Sequence, residues 1–278
     1  MLSVEQKEQI IEAIRHVAKL EILPRFRDLE RSQIATKSGF DDLVTEADTA
    51  AEKALIERFS QIMPQAQIVG EESVSESKQV LDKVDSSDWV IIIDPIDGTW
   101  NYANGLSTFG VLVAVVHQGE TKFGVLYDPL NDDWIEATKG EGCFYGDGGF
   151  KKPIKLNGQP INKRLVGFLS PFQFESIEQR RFAAGLQVSY GRTLSLRCCC
   201  HEYRTLAQGG VDFFVSPKPN VWDHAAGVLC YQEAGGFVKM LDGTPYAPSL
   251  REGTIVAART PELLERVRHD LMEGGVVH

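Results

Sequence analysis

An unbroken apolar run, Trp89-Val90-Ile91-Ile92-Ile93, leads straight into Asp94-Pro95-Ile96-Asp97-Gly98-Thr99. A short run of this kind, closed by a Pro- and Gly-containing turn, predicts a fully buried strand that delivers two carboxylates to one end. Two bare carboxylates in low dielectric would take up protons or destabilise the fold. A divalent cation removes that conflict. Gly98 permits close backbone approach to a ligand, and Thr99 offers a hydroxyl and an N–H at the expected start of a short helix, where anions are favoured. The segment therefore reads as a metal-and-phosphate site.

With 278 residues the chain can bury a large core and sits at the upper edge of a single domain, so two lobes are expected. A net charge of −10 argues against an extensive nucleic-acid surface, which needs clustered Lys and Arg. The first twenty residues carry acids and a helical rhythm where a signal peptide needs a basic start and an apolar core, and no run reaches membrane-spanning length. A cytoplasmic protein with no membrane partner is expected. Cys198-Cys199-Cys200, Cys143 and Cys230 make neither a disulfide framework nor the paired spacing of a zinc site, and read as reduced side chains.

Ile10, Ile14, Val17 and Ala18 recur at helical spacing behind Ser3, which predicts a helix over residues 3–22 that ends before Pro24. A second helix is predicted from Thr45, capped by its hydroxyl, with Asp48 in the first turn and Ala51, Leu55 and Phe59 on its apolar face; Pro64 ends it. Residues 67–69 read as a short strand leading to Gly70-Glu71-Glu72, and 73–86 as a polar surface loop. Strands at 109–117, 124–127 and 134–137, with short turns between, predict an antiparallel meander. Gly140, Gly142, Gly146, Gly148 and Gly149 lack the spacing and following helix of a dinucleotide loop and predict β-turns. Beyond them the pattern predicts strands near 165–169, 187–190, 212–215 and 254–258. Helices are predicted after Pro171, over 199–207 and 223–233, and from Pro261. Such alternation implies α/β layers.

Acids stand wherever an apolar segment turns into a loop or helix start: Asp48, Glu71, the Asp94/Asp97 pair, and Asp223 in Val221-Trp222-Asp223-His224. Taken singly, Asp48 and Asp223 also fit ordinary first-turn acids, and Glu71 a solvated side chain. A calcium EF-hand is excluded at Asp94, because the alternating oxygen ligands and terminal Glu are missing. Together, Leu43-Val44-Thr45-x-x-Asp48, Gly70-Glu71-Glu72, Asp94-Pro95-Ile96-Asp97-Gly98-Thr99 with Asn101, Gly140-x-Gly142-x-Phe144, and Trp222-Asp223 followed by Ala226-Gly227 carry a resemblance. Across nearly its whole length the chain resembles the inositol monophosphatase family, a branch of the metal-dependent, lithium-sensitive sugar phosphatases.

The resemblance implies a layered αβαβα sugar-phosphatase fold with two lobes: an N-terminal metal-binding α+β lobe over 1–150 and a C-terminal α/β substrate lobe over 151–278. It implies that Glu71, Asp94, Asp97, Asp223 and the backbone carbonyl of Ile96 ligate two or three Mg2+ ions, with Asp94 bridging two. Thr99, backed by Asp48, would orient the attacking water, and Glu71 would help take its proton. The N–H groups of Gly98 and Thr99 would hold phosphate oxygens. Lys37 would stand close by, with Asp97, Asp223, Cys199 and Arg197 completing the substrate- and phosphate-binding set. The implied activity is Mg2+-dependent hydrolysis of a small phosphate monoester by metal-activated water in a homodimer, with inositol monophosphate or a related sugar phosphate as substrate. Sugar bisphosphates, histidinol phosphate and 3′-phosphorylated nucleotides are alternatives at the same site. A regulatory role in transcription or RNA complexes, as in some bacterial relatives, is an alternative of another class.

Two positions depart from inositol-specific members. Where those carry a Gly-Thr-Ala or Gly-Ala-Ala turn, this chain has Arg197-Cys198-Cys199-Cys200, and where they carry an acid for ring hydroxyls it has Ser216. Arg197, His201, Arg204 and Lys218 are candidates to meet a second anionic group; alternatively Glu202 pairs with one Arg and the others face solvent. Cys199 is expected in the pocket wall, His224 as a helix-start residue, and Trp100 and Tyr102 as packing beside the site.

Overall fold

The computed structural model of the protein describes residues 2–37, 43–156 and 164–273. Helix α1 (Val4–Val17) begins on a capping box between Ser3 and Gln6, then continues as a wide turn at Ala18–Ile22 and a tight one at Leu23–Arg25. Strands β1 (Ile34–Thr36) and β2 (Leu43–Thr45) pair antiparallel, and α2 (Glu46–Ile62) follows on a second capping box, Thr45 with Asp48. Seven strands then make one sheet in chain order: β3 (Gln67–Gly70), β4 (Trp89–Asp97), β5 (Gly110–His117), β6 (Glu120–Asp128), β7 (Asp133–Thr138), β8 (Gly142–Gly146) and β9 (Lys151–Ile154). Only β3 and β4 are parallel; the remaining pairs form the antiparallel meander. Short helices α3 (Glu71–Glu76) and α4 (Asp82–Ser86) lie between β3 and β4, and α5 (Thr99–Ala103) directly after β4.

The second sheet runs β11 (Arg192–Leu194), β10 (Val166–Leu169), β12 (Phe213–Ser216), β14 (Ile255–Ala258), β13 (Phe237–Met240), parallel on the β11 side of β12 and antiparallel beyond it. Its helices are α6 (Ile177–Ser189), α7 (Cys199–Ala207), α8 (Val221–Glu233) and α9 (Pro261–Glu273). Strand alternation sorts the core into layers. Ile91 and Ile93 of β4 pack with Ile10 and Ile14 of α1 and Leu55 and Phe59 of α2. Val90 and Ile92 face the other way, into a core shared with Tyr203 and Leu206 of α7, Leu229 of α8, and Phe168 and Phe214 of the second sheet. The far face of that sheet, Phe213, Val215 and Val256, packs on Ala183 of α6 and on Leu263, Val267 and Leu271 of α9. The order is therefore αβαβα, with α7 and α8 held between two sheets. Among the described residues no helix is long and apolar enough to cross a membrane.

Three local expectations are corrected. Residues 73–86 form α3, a tight helical turn at Lys78–Leu81 and α4 rather than a surface loop, because Val74 and Val84 are buried in the core beside β3 and β4. The segment 187–190 is not a strand; Ser176 and Gln179 make a capping box that starts α6, and the helix carries through to Ser189 before β11 begins. The glycines after residue 140 do not only make turns, since Gly142 and Gly146 belong to β8; Gly140 and Gly148, both at positive φ, turn the chain on either side.

Phe214 is almost fully buried between the two sheets, with its ring centroid 4.9 Å from that of Tyr203. Phe214→Ala should lower the unfolding free energy by about 3–5 kcal/mol, read as a fall in the urea midpoint. A change below about 1 kcal/mol would contradict the packing described.

Candidate metal and phosphate site

Asp94 and Asp97 are three residues apart, which on a regular strand would place them on opposite faces. The register between β4 and β5 resolves this: Asp94 lies opposite Leu112 and Asp97 opposite Gly110, so two residues of β4 face one of β5. Pro95, which has no N–H to give to the ladder, sits in this bulge. The alternation shifts by one, Ile96 points into the core toward α2, and Asp97 turns to the side already occupied by Asp94. Asp223, in the first turn of α8, meets them there: one carboxylate oxygen from each of Asp94, Asp97 and Asp223 lies within 4.8 Å of the others.

The neighbours that hold these acids come from both halves of the chain. Asp97 Oδ2 accepts from the Cys200 N–H at the start of α7 and from Cys198 Sγ at 3.2 Å. Asp223 Oδ2 accepts from Asn220 Nδ2 at 3.0 Å. Gly98, at φ +88°, turns the chain from β4 into α5; a Cβ there would come within 3.2 Å of the Cys198 Cβ. The Thr99 hydroxyl that follows lies 3.1 Å from Asp48 Oδ1 and 3.0 Å from the Ile96 carbonyl. Asp48 is fully buried, with Oδ2 taken by the N–H and hydroxyl of Thr45. At the start of α3, Lys37 Nζ lies 2.9 Å from Glu71 Oε1 and 2.7 Å from Glu72 Oε1. A cleft of about 730 Å3 borders this side, lined by Lys37, Glu72, Lys78, Asn220, Trp222 and Arg251, roomy enough for a phosphorylated metabolite.

Burial and crowding show in the titration of Asp94, Asp223, Asp97 and Asp48. Burial, then the charges of Glu71, Asp97 and Asp223, push the Asp94 carboxyl well above its ordinary range. Burial and then Asp97 and Glu71 do the same to Asp223. Asp97 is pushed up by burial only to about 6, because the N–H groups of Cys200 and Cys199 and the Cys198 thiol stabilise its anion. Asp48 also rises to about 6, by burial opposed by Thr45. Burial lowers the Lys37 ammonium, but Glu71 and Glu72 outweigh it and keep the lysine charged. One buried oxygen, Asp94 Oδ1, has no hydrogen-bond partner. An orphaned oxygen beside two further carboxylates is a donor set that fits a hard divalent cation.

Of the residues singled out in the sequence, Asp94, Asp97 and Asp223 converge, with Cys198 to Cys200 wrapping Asp97. Thr99, Asp48, Gly98 and the Ile96 carbonyl lie at the same strand end. Glu71 is outside the trio, its carboxylate turned to Lys37. Cys199 Sγ, half-buried, lies within 4.8 Å of ligand atoms of Asp223 and His224. Arg197, at φ +53°, places its guanidinium 4.4 Å from the Trp100 ring centroid. Arg204 does not reach the site, because its guanidinium is spent on Asp133 and the Leu126 carbonyl. Glu202, buried and pushed up to about 8, accepts from the N–H groups of Leu196 and Arg197. His201 bonds the Phe109 carbonyl, and His224 sits between the Tyr203 hydroxyl and the Lys218 carbonyl. Tyr102 is core, its hydroxyl on the Ile22 carbonyl. Sequence reasoning missed Glu52, one turn beyond Asp48; an acid interrupting the apolar face of Ala51, Leu55 and Phe59 was the available signal.

The model of the inositol monophosphatase family matches residues 4–274. A protein of Thermotoga maritima named fructose-1,6-bisphosphatase/inositol-1-monophosphatase is 30% identical over 76% of this chain and 76% of its own. Nus factor SuhB of Pasteurella multocida is 32% identical over 84% of this chain and 83% of its own. Among solved structures, a Thermotoga maritima IMPase superposes with a TM-score of 0.79 at 26% identity, covering 95% of each chain.

The raised acids set a pH dependence. Asp97 ionises near 3.8 when unfolded and at about 6 when folded. Between those values the folded chain holds the extra proton, so this group's contribution is full below about 4 and is lost as the pH rises through 6. In a chelating buffer, Asp97→Asn should gain stability relative to the parent between pH 4 and 7, by roughly 1 kcal/mol or more. A difference that stays flat across this range in parallel thermal melts would rule out the assignment.

Proposed function

We infer that this chain, which belongs to the inositol monophosphatase family, is a Mg2+-dependent phosphatase that hydrolyses a small phosphate monoester. The observation that carries this reading is the trio of Asp94, Asp97 and Asp223 around an unpartnered buried oxygen, beside the left-handed Gly98 turn. Those three, with the Ile96 carbonyl and Glu71, would hold two or three ions. When bound, divalent cations neutralise developing charge on the phosphoryl group and make water a stronger acid. The protein's own groups supply the rest. Thr99 Oγ1 donates to Asp48 Oδ1, which leaves its lone pairs to accept from the attacking water and aim it. Glu71, its charge balanced by Lys37, accepts the proton that the water sheds. The N–H groups of Gly98 and Thr99 at the start of α5 hold phosphate oxygens, Lys37 adds positive charge, and Cys199 and Arg197 border the leaving group.

The substrate proposed is inositol monophosphate or a related sugar phosphate, in keeping with the Thermotoga maritima relative's name. The substrate side of this chain is its own. Ser216 is buried, with Oγ on the backbone of Lys218, so no acid stands there to accept from ring hydroxyls. Arg197 is exposed over Trp100. Those features leave a sugar bisphosphate, histidinol phosphate or 3′-phosphorylated nucleotide as competing substrates. The relative named Nus factor SuhB favours a second reading, a regulatory partner in transcription or RNA complexes. The protein is further proposed to be cytoplasmic and homodimeric.

Phosphate release in Mg2+ across a panel of inositol, sugar, histidinol and nucleotide phosphates tests the reading, and no turnover of any member would sink it in favour of the regulatory one. Asp94→Asn or Asp223→Asn should each lower turnover about a hundredfold or more at saturating Mg2+. A folded variant that keeps the parent rate would remove these residues from the mechanism.

A further inference from the structure

We propose that Glu52, a buried acid used in no catalytic step, is the positioning residue that sets Glu71 against the carboxylate trio. The inference rests on the reading of Glu71 as a cation ligand. Glu52 is 3% exposed and projects from α2 toward the turn between β3 and α3. Its Oε2 accepts from the Glu72 N–H at 2.8 Å, and its Oε1 from the Ser73 N–H at 2.8 Å and the Ser73 hydroxyl at 2.5 Å. A Cβ on Gly70 would lie 2.2 Å from the Glu52 carboxyl carbon, so the carboxylate lies directly against the backbone that leads into Glu71.

Glu71 is thereby gripped from two directions. Glu52 holds its backbone through the residue before it and the two after it, while Lys37 holds its carboxylate. The first N–H groups of a helix have no partner within it, and here a side chain from another helix takes two of them. Glutamate suits the role because both of its oxygens accept. Glutamine keeps the shape but turns an NH2 group toward an N–H donor, leaving that donor unpaired. The same helix carries Asp48, four residues earlier, which holds Thr99. A single face of α2 thus aims both groups proposed to handle the water, Thr99 through Asp48 and Glu71 through Glu52.

Calorimetric titration of Mg2+ into the metal-free full chain tests this without reference to turnover. Glu52→Gln should weaken Mg2+ binding about tenfold to a hundredfold. Glu71→Gln should weaken it too, and the double variant should bind about as weakly as Glu71→Gln alone, because Glu52 acts through Glu71. Glu57→Gln, exposed on the same helix, should titrate like the parent. Ser73→Ala removes one of the three donors and should weaken binding severalfold, which keeps the test readable if Glu52→Gln does not fold. Parent-like affinity in Glu52→Gln or in Ser73→Ala, or losses that add in full in the double variant, overturns the proposal while the metal site stands. A parent protein that binds no Mg2+ overturns both.

Discussion

Like charges crowded at the end of one buried strand are the constraint to which the rest of the structure answers. Asp94 and Asp97 come from β4, Asp223 from α8, and Glu71 adds its field from the next turn. Most of the acids have a neighbour that donates to the carboxylate and offsets part of the cost of its charge. The start of α7 donates to Asp97, Asn220 to Asp223, Thr45 to Asp48, and the Lys37 ammonium to Glu71 and Glu72. Asp94 Oδ1 is left without a partner. Of the buried side-chain atoms left without a partner among the described residues, Asp94 Oδ1 is the one on a carboxylate and the one among the converging acids, and a local rule broken where charges crowd is the ordinary mark of a functional site.

The layered architecture makes that crowding mechanically possible. Held between two sheets, α7 and α8 share one core with the inner face of β4, so their first turns are fixed relative to the strand end they meet. The bulge at Pro95 brings both β4 acids to that same side. Outside this arrangement sit three groups on the proposed substrate side: Arg197 over Trp100, Cys199 beside Asp223, and Ser216 folded into its own turn. Arg204, by contrast, is a structural ion-pair partner of Asp133 on β7.

Much of the fold was legible because local signals agreed with tertiary demand. The capping residue Thr45 and the apolar positions behind it placed α2, and the stretch 199–207 was read as the helix that forms, α7. Where local polarity and burial disagree, reading failed. Residues 73–86 look like a solvated loop because their apolar residues are few and scattered, yet Val74 and Val84 in the core, with Val80 and Leu81 packed against it, order α3 and α4 around them. Val188 resembled a strand residue but is exposed at the end of α6, whose course is set from its Ser176 cap.

The sequence by itself determined which chemistry is present: acids after a buried apolar run, a glycine at the turn, a threonine and its supporting aspartate, and the motif order that marks the family. Only the tertiary structure decided how those groups meet. The trio depends on a register shift against β5 and on α8 arriving from more than a hundred residues away in the chain, and the turn that carries Glu71 depends on Glu52 reaching across to α3. Charge repulsion and hydrogen bonding act through space, so side chains remote in the chain became neighbours only once two sheets had packed around the same helices.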